Sequence, residues 1–191
     1  MLNELLKELL QKRTVTVINR ISPFIQKTDK IIDIGSGPGD IARILKDQGF
    51  NVNPVDVADF HGPRVVETTI YDGTTLPFPD KTFDKALLLM VLHHTPQPEI
   101  VFDEASRVAT ELVVIETSYT NPVDRFSTII FDALGNLRLE AFWNSYKTDT
   151  QWRDFFTKKG FDIVNTEKYL DKTLGIFPLL HILYYLRRRI S

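Results

Sequence analysis

With 191 residues, 43% of them hydrophobic and 25% charged, the chain has the size and balance of one globular domain able to bury a core. Its formal net charge of −2 gives no general attraction to polyanions, so nucleic acid is not an expected partner. The lack of cysteine excludes disulfides, thiolate nucleophiles and cysteine-ligated zinc.

In chain order, Leu2, Leu5, Leu6, Leu9 and Leu10 recur in threes and fours, which predicts one or two amphipathic helices over 3–25, inside an N-terminal helical segment 1–28 packed on the core. Charges interrupt these leucines, whereas a secretory signal needs an unbroken apolar centre, so a cytoplasmic protein is expected. A β-branched run at 30–34 enters a glycine turn and is followed by helical periodicity from Ile41 to Leu45, which Gly49 ends. Further strands are expected at 51–57, 65–69, 83–90 and 112–116, with a helix at 99–108 before the last of them. Strands alternating with helices predict an α/β fold with a mostly parallel sheet covered on both faces.

Residues 117–148 are polar and aromatic by turns and read as a small helical cap inserted over one end of the sheet. Asp149 or Thr150 is the expected cap of a helix running to Lys159, with Gly160 ending it. Segments 161–169 and 181–188 read as a final strand pair. The second has an alternative as an amphipathic helix on a membrane surface, because its apolar residues are followed by Arg187, Arg188 and Arg189. That arginine cluster is the one candidate for weak contact with a membrane surface. The longest apolar run, 175–186, falls short of the roughly 20 residues a membrane-spanning helix needs.

The segment Asp33-Ile34-Gly35-Ser36-Gly37-Pro38-Gly39-Asp40 lies between the first strand and its helix. Glycines there permit a tight turn and close approach of a ligand to the backbone. A dinucleotide site has the spacing G-x-G-x-x-G, whereas this chain has G-x-G-x-G with Asp40 at the place of the third glycine. A carboxylate repels a pyrophosphate and tolerates a ligand carrying an amino group and a sulfonium. Asp56 follows the second strand at the distance suited to holding ribose hydroxyls, with Asp59 as the fallback if that strand ends later. Asp72-Gly73 can serve an adenine amino group or can be an ordinary turn.

Together these segments resemble the class I S-adenosylmethionine-dependent methyltransferases, in particular the small-molecule type 11 group. The motif D-x-G-x-G-x-G reads Asp33 to Gly39, and L-P-F-x-D-x-x-F-D reads Leu76-Pro77-Phe78-Pro79-Asp80-Lys81-Thr82-Phe83-Asp84. The likeness continues through Val91-Leu92-His93-His94 and Glu104-Ala105-Ser106-Arg107-Val108, so it covers about 30–116. It implies a Rossmann-like fold with a mostly parallel seven-stranded sheet, the cofactor S-adenosylmethionine and the product S-adenosylhomocysteine. By the same resemblance Asp33, Gly35, Ser36, Gly37 and Gly39 lie along the methionine part of the cofactor. Asp56 holds the ribose, Asp72 the adenine amino group, Val57 and Gly73 border the adenine, and Leu88, Leu89 and Met90 close the site.

Methyl transfer from a sulfonium is an in-line displacement that depends on holding donor and acceptor collinear and dry. His94 and His93 are the candidate bases, although L-x-H also suits a structural histidine. Two adjacent histidines cannot share one face of a strand, so no metal site is expected. The acceptor pocket is expected between the N-terminal helices and the cap, with Tyr119, Asp124, Phe126, Trp143 and Tyr146 as candidates against a background of ordinary aromatic packing. The apolar composition there points to a small, apolar or lipid-like acceptor. The rival readings are a non-catalytic module that binds the same cofactor and a nicotinamide-dependent oxidoreductase.

Overall fold

Helix α1 (Leu2–Ile21) opens the chain and passes into a single 3-10 turn, Ser22–Phe24, where Pro23 stops the α-helical ladder. Of the N-terminal leucines, Leu10 is half exposed, and the buried face is carried by Val17, Ile18 and Ile21. There follow β1 (Lys30–Ile34), α2 (Asp40–Asp47), β2 (Asn51–Val57), β3 (Thr69–Tyr71), β4 (Phe83–Leu89), α3 (Pro98–Val108) and β5 (Ala109–Ser118). The chain continues with α4 (Pro122–Asn136), α5 (Asp149–Lys158), β6 (Phe161–Thr173) and β7 (Phe177–Arg188). The structure is a computed structural model and describes residues 2–57, 64–136, 144–173 and 177–189.

The strands form one seven-stranded sheet in the order β3-β2-β1-β4-β5-β7-β6. β1 pairs parallel with β2 and β4, β4 with β5, and β2 with β3, while β7 runs antiparallel to both neighbours. Four consecutive buried residues in β1 and seven in β5 mark strands covered on both faces. On one face, Val17, Ile18 and Ile21 of α1 and Ala42 and Leu45 of α2 pack against Ile31, Leu87, Val113 and Ile115. On the other, Val101, Phe102 and Ala105 of α3 and Trp152 and Phe156 of α5 pack against Ile32, Ala86, Leu88 and Val114. Trp152 and Phe156 are stacked at 5.8 Å and both fully buried. Truncating either to alanine would cost about 3–5 kcal/mol.

Several boundaries differ from the sequence reading. The third strand is not 65–69 but Thr69–Tyr71, because the segment before it is drawn over the glycine turn: the Val65 amide donates to the Pro38 carbonyl at 2.8 Å. β4 stops one residue early, at Leu89, because Met90 turns to a left-handed φ of 61° while its amide donates to the Ile115 carbonyl. α5 is capped by Thr148, whose side chain accepts from the Gln151 amide while the Gln151 side chain accepts from the Thr148 amide, so the cap falls before Asp149 and Thr150. The last segment is a strand, not an interfacial helix, since β7 pairs along its length with both β5 and β6. No described helix is long and apolar enough to cross a membrane.

Candidate functional site

The order of the strands reverses between β1 and β4, and the glycine turn sits at the carboxyl end of β1 at that reversal, where open α/β sheets receive ligands. Gly35 and Gly39 have φ of 73° and 88°, a left-handed backbone that disfavours any side chain. The turn is tied to β2 by Gly35 and Ser36, whose amides both donate to the Val55 carbonyl, at 2.9 and 3.1 Å. The Asp56 carboxylate accepts from the amides of Gly37, at 2.5 Å, and Val57, at 2.7 Å. The space that glycine leaves is partly taken by the protein itself. A β-carbon on Gly35 would stand 2.7 Å from Val91 Cγ2, and one on Gly39 2.3 Å from Val66 Cγ1.

Asp33 is buried at the end of β1, and burial, aided by the nearby Asp56 carboxylate, raises its pKa to about 7. The Ser36 hydroxyl is buried with no hydrogen-bond partner. Beyond β3, Asp72 is exposed and its Oδ1 accepts from the amides of Thr74 and Thr75, both at 2.8 Å, which lowers its pKa. A β-carbon on Gly73 would lie 3.3 Å from Val57 Cγ1, so these two residues face each other across the site. The stretch from Leu76 to Asp80 is held by Arg107, which donates to the carbonyls of Leu76 and Phe78 and to the Asp80 and Glu104 carboxylates. Leu88 and Leu89 are buried in β4, and Arg13 of α1 donates to the Met90 sulfur at 2.9 Å.

His93 and His94 do not lie on a strand. They close a 3-10 turn, Leu92–His94, that directly follows Val91, and this overturns the geometric objection to their acting together. Their rings sit 4.1 Å apart, and the Nε2 atoms of both point at Asp132 of α4, at 3.6 Å from His93 and 3.2 Å from His94. His93 Nδ1 makes a short contact with the Glu116 carboxylate, which also accepts from the amides of Val91, Leu92 and His93. Burial alone would lower the His93 pKa, but Glu116 and Asp132 raise it to about 9. Asp132 is held below the usual carboxylate range despite its burial, by His93, His94 and the Tyr146 hydroxyl, which donates to it at 2.7 Å. Nearby, Thr117 and His181 are buried on paired positions of β5 and β7, 3.2 Å apart, and burial lowers the His181 pKa to about 3.

Of the acceptor-pocket candidates, Tyr146 reaches this cluster, its ring 4.8 Å from that of His93. Asp124 accepts from the Thr120 amide and hydroxyl and so builds the start of α4. Tyr119 lies 3.4 Å from Gln151, Phe126 is exposed, and Trp143 falls outside the described residues, as does Asp59. The sequence reading missed Asp132, Glu116 and His181. A signal existed for Asp132, which shares a face of α4 with buried Thr128 and Ile129 at helical spacing. The three arginines lie at the other end of the strands, where Arg187 meets Glu111, Arg188 the Ser106 carbonyl and Arg189 Asp162. A cleft of about 710 Å³ between α1 and β6, lined by Arg20, Phe24 and Glu167, contains none of the residues of the turn or the histidine cluster.

Residues 6–166 match the family model described as a methyltransferase domain. No curated protein matches the chain. Solved structures share the fold. A SAM-dependent methyltransferase from Methanosarcina mazei has a TM-score of 0.69 and 18% identity over 90% of this chain and 97% of that one. Magnesium protoporphyrin IX methyltransferase from Synechocystis PCC 6803, solved with bound SAH, has a TM-score of 0.63 and 16% identity over 98% and 87%. The cyclase SpnF has a TM-score of 0.68 and 16% identity over 94% and 81%.

Proposed function

Given that the chain belongs to the methyltransferase-domain family and is an S-adenosylmethionine-dependent enzyme, we propose that its acceptor is a small, apolar or amphipathic molecule received beneath α4, beside the histidine turn. When bound, S-adenosylmethionine supplies a methyl group already activated by its sulfonium. The residues of the turn fit that cofactor. Asp33 and Asp56 bring two carboxylates to the carboxyl ends of β1 and β2, where a diphosphate would be repelled and a cationic ligand drawn in. Ser36 offers a buried hydroxyl without a partner, and Val57 and Gly73 offer the apolar borders for a flat ring.

The observation that carries the cofactor placement is this pairing of two carboxylates around the glycine turn. For the acceptor it is the inner face of α4, where Ile129 and Asp132 are buried, Asp132 meets the partly exposed His94 and the Tyr146 ring packs on His93. His93 is fully buried and committed to Glu116, so of the two histidines only His94 lies on the accessible side of the cluster. A second reading is a module that binds the cofactor without transferring its methyl group; the same fold occurs in a protein described as a cyclase, SpnF, so the fold alone does not decide between them.

Calorimetric titration with S-adenosylhomocysteine tests the cofactor placement: Asp56→Ala should lose affinity at least tenfold, and an unchanged affinity would remove Asp56 from the site. Labelled S-adenosylmethionine incubated with cell extracts split into lipid, small-molecule, protein and RNA fractions tests the acceptor. Label confined to protein or RNA would overturn the small-molecule reading, and no label in any fraction would support the second one.

A further inference from the structure

We infer that His93, His94 and Asp132 form a binding site for a divalent transition-metal ion of the zinc type, with its open position turned toward the acceptor. The placement of that open position rests on the methyltransfer reading above; the metal site itself does not. One ligand atom from each of the three residues lies within 4.8 Å of the others, and the Nε2 of both histidines faces the same Asp132 oxygen. In a tetrahedral zinc site with bonds of about 2.0–2.1 Å, neighbouring donors stand about 3.3 Å apart. The two histidine-to-carboxylate separations, 3.6 and 3.2 Å, bracket that edge.

A second observation concerns burial. His93 Nε2 is fully buried, makes no hydrogen bond and faces the Asp132 carboxylate across 3.6 Å, a gap that a shared ion would bridge. The surroundings match an outer coordination shell. Glu116 contacts His93 Nδ1, which fixes the ring and presents Nε2, and the Tyr146 hydroxyl orients Asp132. Glu116 itself is anchored by the amides of Val91, Leu92 and His93, so the His93 ring is held from behind by the backbone of its own turn. The buried Glu116 and Asp132 carboxylates together match the charge of a divalent ion.

Two imidazoles and one carboxylate suit zinc, cobalt, nickel or iron(II) and not magnesium or calcium, which prefer oxygen donors throughout. Three protein ligands leave one position of a tetrahedron for water or an acceptor oxygen. His94 is the only ligand with substantial exposure, 22% against 0% and 2% for the others, so that position opens on its side.

The test is uptake of Co2+ by the full chain after dialysis against a chelator, read as the intense visible absorption of a four-coordinate ion and displaced by Zn2+ but not by Mg2+. One ion should bind, and His94→Ala and Asp132→Asn should each weaken it by more than the roughly 10–100-fold expected for the outer-shell change Glu116→Gln. Circular dichroism of His94→Ala, a change at a partly exposed residue, confirms that the loss is not unfolding. No absorption, or absorption that both substitutions leave intact, overturns the site. Titration of the same metal-free samples with S-adenosylhomocysteine separates the two conclusions: cofactor bound without cobalt uptake sinks the metal site alone, and cobalt uptake without cofactor affinity sinks the cofactor placement alone.

Discussion

Val91 occupies the space that a side chain on Gly35 would need, its Cγ2 atom 2.7 Å from the position of that missing β-carbon. Val91 also donates its amide to Glu116, the carboxylate behind His93. One residue therefore joins the glycine turn to the histidine cluster, and a disturbance at either reaches the other through packed atoms.

Gly35→Ala is expected to destabilise the protein by about 2 kcal/mol or more, from a non-glycine left-handed backbone together with the clash on Val91. Adding Val91→Ala should restore the part due to the clash and leave the part due to φ. Thermal melts of the two single variants and the double variant measure this, and strictly additive losses would show that the two residues do not compete for space.

The pH dependence of cofactor binding follows from Asp33. Its folded pKa of about 7 lies above the ordinary 3.8, so the folded chain holds a proton that the unfolded chain has lost between those values. Asp33 thus leaves stability intact below about pH 4, removes it progressively as pH rises towards 7, and adds no further change above that. A cationic ligand favours the ionised carboxylate, so S-adenosylmethionine affinity should rise with pH up to about 7, with proton release on binding. Asp33→Asn should flatten both profiles, gain stability at pH 8 and lose cofactor affinity. Calorimetry in buffers of different ionisation enthalpy detects the released proton.

Tyr146→Phe removes the hydroxyl that donates to Asp132 at 2.7 Å inside the fold. The loss should be about 1–3 kcal/mol of stability, seen as a lower midpoint in urea, with S-adenosylhomocysteine affinity unchanged. A fall in cofactor affinity as large as that for Asp56→Ala would place Tyr146 in the cofactor site instead.

Arg187, Arg188 and Arg189 stand at the end of the strands opposite the glycine turn, each engaged by its own chain. Replacing all three by glutamine should leave cofactor affinity and methyl transfer unaltered. The same variant in vesicle co-sedimentation tests lipid contact: retention on anionic vesicles equal to that of the parent chain would remove the arginines as a membrane patch.

Much of the framework could be read along the chain. The bounds of β2 matched the sequence reading, and the turn from Asp33 to Gly39 lies where the run of glycines places it. Both follow from local preferences, strand formation by buried β-branched residues and the left-handed freedom of glycine. Residues 65–69 misled because a β-rich composition does not reveal that Val65 is hydrogen-bonded to Pro38 and Val66 packed on Gly39. The cap of α5 was legible as Thr148-x-x-Gln151, yet the acidic Asp149 beside it competed as a signal.

The cluster beside the turn was not legible in the same way. His93 and His94 stood out as a pair, but a strand-end reading set them on opposite faces, and only the 3-10 turn brings both rings to one carboxylate. Asp132 and Glu116 are separated from them by 39 and 23 positions, counted from His93, and nothing local marks a carboxylate as the partner of a distant imidazole. What the sequence determined by itself was the sheet architecture, the glycine turn and the family, because strand, turn and helix preferences act over a few residues. The tertiary structure decided which charged groups meet at the end of β4, because burial and Coulomb attraction depend on distance in space and not along the chain.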